Sequence, residues 1–295
     1  MRRTTWILTL AGIAACGGSE DSGESPRASI SGAVETPAIA LWEEGTPAFG
    51  IFVPSERAPG STDENGNRLP PLYTVDGATA LAENPLLDYL FLNLEGSYDA
   101  DAVQALVSGL DAADTPNPPT LLVRIPTIEA AGEDATRAHV AEVLSFGADG
   151  VVIPHVRSPE EARIAVGFFE EAGADVWSPA NPDGTVIAML MVEDVGAIEA
   201  IEEIAAVPGY SMLSCGIGSL TRAMGGDREG AEAACQNVRD LAAERGMPSM
   251  MTADANIIGN RIEQGYLGLL LSGSMEQAGE VIRTGHEIAG RRGMR

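Results

Sequence analysis

The sequence predicts a TIM (β/α)8 barrel, and three observations lead to that fold class. From residue 39 onward, apolar strand-like runs alternate with amphipathic helix-like stretches, the order that builds a parallel sheet. Eight such units follow one another over about 250 residues, which is the usual length of this barrel. The competing doubly wound sheet usually has a Gly-rich phosphate loop after its first strand, whereas Phe52-Val53-Pro54-Ser55 leads into a long polar loop, Glu56–Pro71.

The strand candidates are continuous apolar runs, which are typical of strands covered on both faces. They are Ala48–Pro54, Tyr89–Glu95, Thr120–Pro126, Gly150–Val156, Val186–Glu193, Met212–Gly218, Pro248–Ala253 and Leu267–Gly273. The helix candidates carry apolar residues at helical spacing and are often followed by Gly or Pro. They are Asp99–Ala112, Ala130–Phe146, Pro159–Ala172, Ala197–Ala206, Arg228–Arg245, Ala255–Gln264 and Ser274–Arg291.

The beginning of the chain predicts export. Arg2 and Arg3 precede a mostly apolar segment, Trp6–Ala15, that is too short to span a bilayer. Ile13-Ala14-Ala15-Cys16 resembles a bacterial lipobox, in which the cysteine is lipidated and becomes the mature N-terminus. An ordinary signal peptide with a chance cysteine is the alternative.

From this pattern we expect a lipoprotein signal peptide over residues 1–15, a flexible tether over 16–38 and the barrel over 39–295. The only membrane contact would then be a lipid on Cys16. This arrangement places the protein in the cell envelope, at the outer membrane facing the periplasm if the bacterium has two membranes.

Composition limits the classes of function. Acidic residues number 43 and basic residues 18, and the formal charge of −25 argues against nucleic-acid binding. Every basic residue is arginine. The lack of lysine excludes Schiff-base catalysis by a lysine amine and a Walker-type phosphate loop. Cys215 and Cys235 can pair, but spacing alone cannot show it, and we expect both to be free.

The segment Val186–Asp194 consists of seven apolar residues followed by Glu193 and Asp194. The carboxyl ends of barrel strands form the catalytic face, so Glu193 is a metal-ligand candidate. Alternatively, the two carboxylates cap the following helix, because acidic side chains stabilise helix N-termini. Both interpretations remain open at this point.

Arg124 is a single arginine among apolar residues, so it needs a partner. That partner is either a substrate carboxylate or a structural one such as Glu95. His155 is the only histidine at a strand end, where it is either a structural residue or a base or ligand. His139 and His286 fall in helices, and we expect both at the surface.

Several segments resemble the HpcH/HpaI aldolase and citrate lyase β-subunit family in order and spacing. They are Leu122–Pro126, Phe146–Val156, Ser158–Ala162, Met191–Asp194, Ile204–Gly209 and Gly216–Thr221. The resemblance implies a TIM barrel, a divalent metal ion (Mg²⁺, Mn²⁺ or Co²⁺), and cleavage or formation of a C–C bond through a pyruvate-type or acyl-CoA enolate. It also implies a small-molecule keto-acid substrate and a homo-oligomer.

The resemblance implies roles for particular residues. Arg124 matches the arginine that contacts the keto acid, and Glu193 matches the metal-binding glutamate. Gly216-Ile217-Gly218 matches the loop whose amides hold the substrate carboxylate, and Ser219 follows it. Ser219 is the first departure, because the family has its second metal carboxylate there and a serine hydroxyl is a poor replacement.

The second departure lies after strand two. The family's Asp-x-Glu-His pattern reads Asn93-Leu94-Glu95-Gly96 here, so the general-base histidine is missing. We expect Glu95 to take part in the metal site and His155 to act as the replacement base. Candidate replacement ligands, chosen only by strand-end position, are Asp194, Asp227 and Asp254.

Two functions follow from these features. The first is a metal-dependent C–C lyase (aldolase) acting on a 2-keto acid or related acyl substrate through an enolate. The alternative is a catalytically degenerate family member that binds a small carboxylate as a cell-envelope lipoprotein.

Overall fold

A computed structural model describes residues 36–291 of the chain. The predicted signal peptide, the predicted lipid site at Cys16 and the predicted tether up to residue 35 lie outside these residues. Residues 36–38 belong to the folded domain and not to a tether, because Ala38 is fully buried and a helix begins at Pro37. Between residues 36 and 291, no helix is long and apolar enough to cross a membrane.

Eight parallel strands form the barrel, which confirms the predicted fold class. They are β1 (Ala48–Phe52), β2 (Tyr89–Asn93), β3 (Thr120–Arg124), β4 (Gly150–Ile153), β5 (Ile187–Val192), β6 (Met212–Cys215), β7 (Met250–Ala253) and β8 (Gly268–Leu271). Backbone pairing runs in the order β6-β5-β4-β3-β2-β1-β8-β7. Between β6 and β7, Ser214 Oγ accepts a hydrogen bond from the N–H of Met250 at 2.9 Å.

The helices lie between the strands and after the last one. They are α1 (Pro37–Glu43), α2 (Val75–Ala82), α3 (Ala100–Ala112), α4 (Ile128–Ala131), α5 (Glu133–Phe146), α6 (Pro159–Glu171), α7 (Val195–Glu199), α8 (Ile201–Ala205), α9 (Ile217–Ala223), α10 (Arg228–Glu244), α11 (Ile258–Glu263) and α12 (Met275–Ile288). Four of these helices, α1, α2, α4 and α9, were not predicted from the sequence. The single helix predicted after β5 is two short helices that meet at Ala200.

Strand β5 shows how the core is divided. Its odd-numbered residues, Ile187, Met189 and Met191, belong to the cluster inside the barrel. Its even-numbered residues pack in the larger cluster between strands and helices. Successive side chains of a strand point to opposite faces, so the next odd-numbered residue, Glu193, continues the inward row.

Two expectations about buried side chains are wrong. Cys215 and Cys235 form a disulfide between the end of β6 and α10, with a Cα–Cα distance of 5.3 Å. Their separation of 20 residues could not reveal that α10 packs on β6. His286 is buried and its ring lies 4.7 Å from that of Phe49, because α12 packs this face onto β1.

Candidate active site

The carboxyl ends of β3 and β5 bring Arg124 and Glu193 to the same end of the barrel. Arg124 is the last residue of β3 and pairs in register with Asn93 on β2 and Val152 on β4. Glu193 follows β5 directly and continues its inward row. Alternation within a strand therefore explains why both side chains point inward at the barrel mouth.

The Arg124 guanidinium joins two carboxylates through one nitrogen. Its Nη2 donates to Glu193 Oε1 at 2.6 Å and to Glu95 Oε1 at 2.9 Å. Arg124 is 8% exposed and Glu193 only 1%. The Nε of Arg124 is buried and has no hydrogen-bond acceptor among the described residues. The arginine thus holds two carboxylates of the protein, and its side chain also lines the neighbouring cavity.

His155 lies beside this group in an uncommon backbone conformation. Its φ is +52°, and between residues 36 and 291 it is the only non-glycine residue with positive φ. Such a conformation costs about 1–3 kcal/mol and tends to occur at functional sites. The imidazole Nδ1 is 3.1 Å from Asp194 Oδ2, and Nε2 is 3.3 Å from Glu95 Oε1 and 3.7 Å from Glu193 Oε2.

These contacts shift two pKa values in opposite directions. The hydrogen bond with Glu95, opposed by burial and helped by Glu193 and Asp194, raises the pKa of His155 to about 9. The same hydrogen bond, together with the charge of Arg124, lowers the pKa of Glu95. In the metal-free protein at neutral pH, the imidazole is therefore protonated and the carboxylate is ionised.

The helix-cap interpretation of the carboxylates after β5 is wrong. Asp194 occupies the N-cap position of α7, but its side chain makes no capping hydrogen bond. Its carboxylate contacts His155 instead, and the carboxylate of Glu193 contacts Arg124. Both acidic groups therefore belong to the cluster at the barrel mouth.

The loop after β6 provides space for Glu193. A Cβ atom added at Gly216 would collide with the Glu193 carboxylate. The Gly216 N–H donates to the carbonyl of Val192 at 3.3 Å, so it is not free to hold a substrate carboxylate. The predicted substrate contacts of this loop therefore reduce to Ile217, Gly218 and Ser219.

A metal ion fits part of this cluster. Glu95, His155 and Glu193 offer one ligand atom each, and these atoms lie within 4.8 Å of one another. Arg124 hydrogen-bonds only the Oε1 atoms, so each glutamate keeps its Oε2.

Of the three aspartates considered as replacement ligands, the structure brings only one near the cluster. Asp194 holds His155 Nδ1, the position of an outer carboxylate that orients an imidazole. Asp227 accepts the N–H of Gly230 at the start of α10, and Asp254 accepts the N–H of Asn256. These two predictions are wrong because both side chains serve their own local turns.

A cavity of about 300 Å³ opens beside the cluster. Its polar lining includes Arg124, Glu193, Ser219, Arg222 and Arg228, and its apolar wall includes two phenylalanines and several methionines. A second, more polar cavity is lined by Glu95, His155, Glu193, Asp194, Ser219 and Arg222. The volume is at the small end of the range for ligand pockets.

Sequence reasoning missed Arg222 and Arg228. The only signal for Arg222 was its position three residues after Ser219, which places both on one face of a helix. No feature of the sequence pointed to Arg228.

The eight parallel strands and their helices make this a TIM-barrel protein. The polar cluster lies at the carboxyl ends of the strands, the face where TIM-barrel enzymes have their active sites. The sequence model that defines the HpcH/HpaI aldolase/citrate lyase family matches residues 82–269 of this chain. The chain therefore belongs to that family.

Relatives with known names support the same assignment. The chain is 31% identical over 175 residues to the 4-hydroxy-4-methyl-2-oxoglutarate aldolase tasA of Hapsidospora irregularis, a match that covers 52% of this chain and 61% of that protein. It is 26% identical over 152 residues to a 4-hydroxy-2-oxovalerate aldolase of Novosphingobium aromaticivorans, covering 46% and 55% respectively. In both cases the match spans less than two thirds of the relative.

Solved structures agree with the fold. An HpcH/HpaI aldolase from Desulfitobacterium hafniense superimposes with a TM-score of 0.59 at 24% identity, covering 86% of this chain and 96% of that one. At this level of identity the similarity supports the barrel fold and not a particular reaction.

Proposed function

We propose that this protein is an aldolase-type lyase that cleaves or forms a C–C bond next to a 2-keto acid through an enolate. The observation that carries the proposal is Arg124, a buried guanidinium beside a cavity, with two carboxylates on Nη2 and no acceptor for Nε. A fixed positive charge in a site of low exposure stabilises the negative charge that develops on a keto oxygen.

Two glutamates are assigned as metal ligands in this proposal. Glu193 and Glu95 offer carboxylate oxygens within the group that fits a divalent cation. When bound, such an ion supplies Lewis-acid stabilisation of the enolate oxygen. The positive charge of Arg124 keeps the two carboxylates close together, and Gly216 leaves room for the side chain of Glu193.

His155 is assigned as the group that exchanges a proton with the substrate, at Nε2. Asp194 holds Nδ1, so Nε2 is directed toward Glu95 and Glu193. An imidazole that is oriented through one nitrogen and directs the other toward the reacting groups is the usual arrangement for acid–base catalysis. A cation held by Glu95 and Glu193 would offset the carboxylate charges that raise the pKa of His155, and Nε2 could then accept a proton. His155 is therefore assigned the proton and is not counted as a metal ligand.

The names of the relatives support a substrate class. Both named aldolases act on 2-oxo acids, which supports a keto-acid substrate here. A related acyl substrate is the other substrate class that the family name suggests.

We propose a cell-envelope location, with a lipid on Cys16 as the membrane anchor. The disulfide between Cys215 and Cys235 supports this location, because disulfides persist in oxidising compartments. Assembly into a homo-oligomer stays a prediction.

Proton exchange tests the proposed chemistry. The purified protein is incubated with pyruvate in D2O with Mn²⁺ or Mg²⁺ or with a chelator, and deuterium in the methyl group is measured by mass spectrometry. We expect exchange that needs the metal and is lost in Glu193→Gln, while Glu199→Gln, an exposed charge-matched control on α7, exchanges like the wild type. Proton exchange that continues at the same rate without metal and in Glu193→Gln would contradict the proposal.

One observation favours the second candidate, a family member that only binds a small carboxylate. Ser219 stands where the family has its second metal carboxylate, so the charged ligand set is reduced. Calorimetric binding of pyruvate or malate without metal binding and without exchange would support this second function.

A further inference from the structure

We propose that Arg222 forms a second anion subsite, so that this protein prefers a 2-keto acid that carries another anionic group at its far end. The inference rests on the proposed function in one respect, because it assumes that the keto-acid end of the ligand contacts Arg124. Its evidence comes from the position, the hydrogen bonds and the charge environment of Arg222.

Arg222 lies between the two cavities. It lines the larger one together with Arg124 and the smaller one together with Glu95 and His155. A ligand in contact with Arg124 therefore shares its cavity with a second guanidinium. The 300 Å³ volume suits a small acid of this kind better than a large cofactor.

The hydrogen bonds of Arg222 remain within its own helix. Its Nη2 donates to Ser219 Oγ at 3.2 Å and its Nε to the carbonyl of Gly218 at 3.4 Å. Among the residues that the structure describes, no carboxylate forms an ion pair with it, although the chain carries 43 acidic residues against 18 basic ones. Its charge helps to lower the pKa of Glu95 across the smaller cavity. Since no carboxylate lies within ion-pair distance in the described part of the chain, the guanidinium can still bind an anion.

The other two arginines of the cavity each form an ion pair with at least one carboxylate of the protein. Arg124 contacts Glu95 and Glu193, and Arg228 contacts Glu232 at 2.9 Å. Arg222 is thus the cation of this cavity that lacks a carboxylate partner in the described part of the chain. A guanidinium in that state is suited to hold a carboxylate or a sulfonate through two parallel hydrogen bonds.

Ser219 explains why Arg222 has no ion-pair partner on its own helix. A carboxylate at position 219 would lie within reach of Arg222, because the serine hydroxyl already accepts its Nη2 hydrogen bond. The neutral serine leaves the guanidinium unneutralised. Serine in place of the family's second metal carboxylate therefore removes a metal ligand and also leaves the positive charge of Arg222 in the cavity.

Two ligands of equal length test the subsite. 2-Oxoglutarate and 2-oxovalerate differ only in that a terminal carboxylate replaces a terminal methyl group. Binding to the whole protein in the presence of Mn²⁺ is measured by calorimetry. We expect 2-oxoglutarate to bind about tenfold more tightly, the size of one charge-assisted contact at an exposed site. Arg222→Gln should reduce that ratio to about one.

Control variants separate the subsite from the overall charge. Arg283→Gln removes the same charge from the exposed face of α12 and should keep the ratio. Ser219→Asp should lower the ratio as Arg222→Gln does, because the new carboxylate neutralises the guanidinium. Equal affinity for the two ligands in the wild type, equal weakening of both by Arg222→Gln, or no binding of either ligand would overturn the inference.

The outcomes also distinguish this inference from the proposed lyase. If 2-oxoglutarate binding depends on Arg222 but pyruvate does not exchange protons, the anion subsite is supported and the proposed lyase activity is contradicted. If pyruvate exchanges protons in a metal-dependent way but 2-oxoglutarate is not preferred, the lyase activity is supported and the anion subsite is overturned.

Discussion

Arg124 Nη2 and Glu193 Oε1 lie 2.6 Å apart at the mouth of the barrel, although 69 residues separate them in the sequence. The contact forms because β3 and β5 flank β4 and direct their last inward side chains to the same end of the sheet. Both residues are almost fully buried. Their pairing is the structural basis for the chemistry proposed for this protein.

The first prediction concerns the stability of this pair. Arg124→Met leaves the buried Glu193 carboxylate without its cation, and we expect the free energy of unfolding to fall by about 3–5 kcal/mol. The double variant Arg124→Met, Glu193→Gln should recover part of this loss, because the neutral amide does not need a counter-charge. Urea unfolding of the wild type, Arg124→Met, Glu193→Gln and the double variant measures the coupling. Additive single effects would show that the pair does not interact.

The second prediction concerns the room that Gly216 leaves for Glu193. Gly216→Ala places a methyl group against the carboxylate, and we expect a loss of about 1–3 kcal/mol in unfolding free energy. Gly218→Ala is the matched control two residues later, because an added Cβ there meets nothing within 4 Å. Equal stabilities of the two variants would contradict the proposed packing around Glu193.

Sequence reasoning predicted the barrel well and the site only in part. Alternating apolar runs and helical stretches identify eight βα units because burial on both faces leaves a continuous apolar signal in each strand. The same reasoning identified Arg124 and Glu193, since a charge at the end of an apolar run must have a partner or a function. Short helices such as α9 were missed because seven residues carry too little periodicity.

The side-chain contacts that complete the cluster could not be predicted. His155 and Asp194 follow the neighbouring strands β4 and β5, and His155 has a positive φ that no local pattern in the sequence indicates. The disulfide of Cys215 and Cys235 likewise depends on how α10 packs against β6. Such contacts depend on tertiary packing, and strand-end position alone also suggested Asp227 and Asp254 incorrectly.

The third prediction concerns pH. The pKa of His155 is raised from its usual 6.5 to about 9, so its stabilising contribution is complete below pH 6.5 and is lost as the pH rises through 9. We expect the metal-free protein, kept in chelator, to lose unfolding free energy over this interval, and His155→Gln to lose less.

His139→Gln is the control for this pH dependence. Burial lowers the pKa of His139, so that group is already neutral above pH 6.5 and its removal should leave the slope unchanged. Identical slopes for wild type and His155→Gln would show that the imidazole is not stabilised by Glu95.

The fourth prediction concerns the disulfide that anchors the end of β6. Replacing Cys215 and Cys235 with alanine should lower the unfolding free energy by about 3 kcal/mol, the loss expected for a loop of 20 residues. A reducing agent should destabilise the wild type by a similar amount and leave the double variant unchanged. A wild type that is insensitive to reduction would show that the bond does not contribute to stability.

The most direct test of the central claim is a crystal structure of the protein soaked with Mn²⁺ and pyruvate, with the metal located by its anomalous scattering. We predict manganese density bonded to the carboxylates of Glu193 and Glu95, and pyruvate with its keto oxygen facing Arg124. Manganese bound elsewhere, or pyruvate in a position that Arg124 does not contact, would contradict the account.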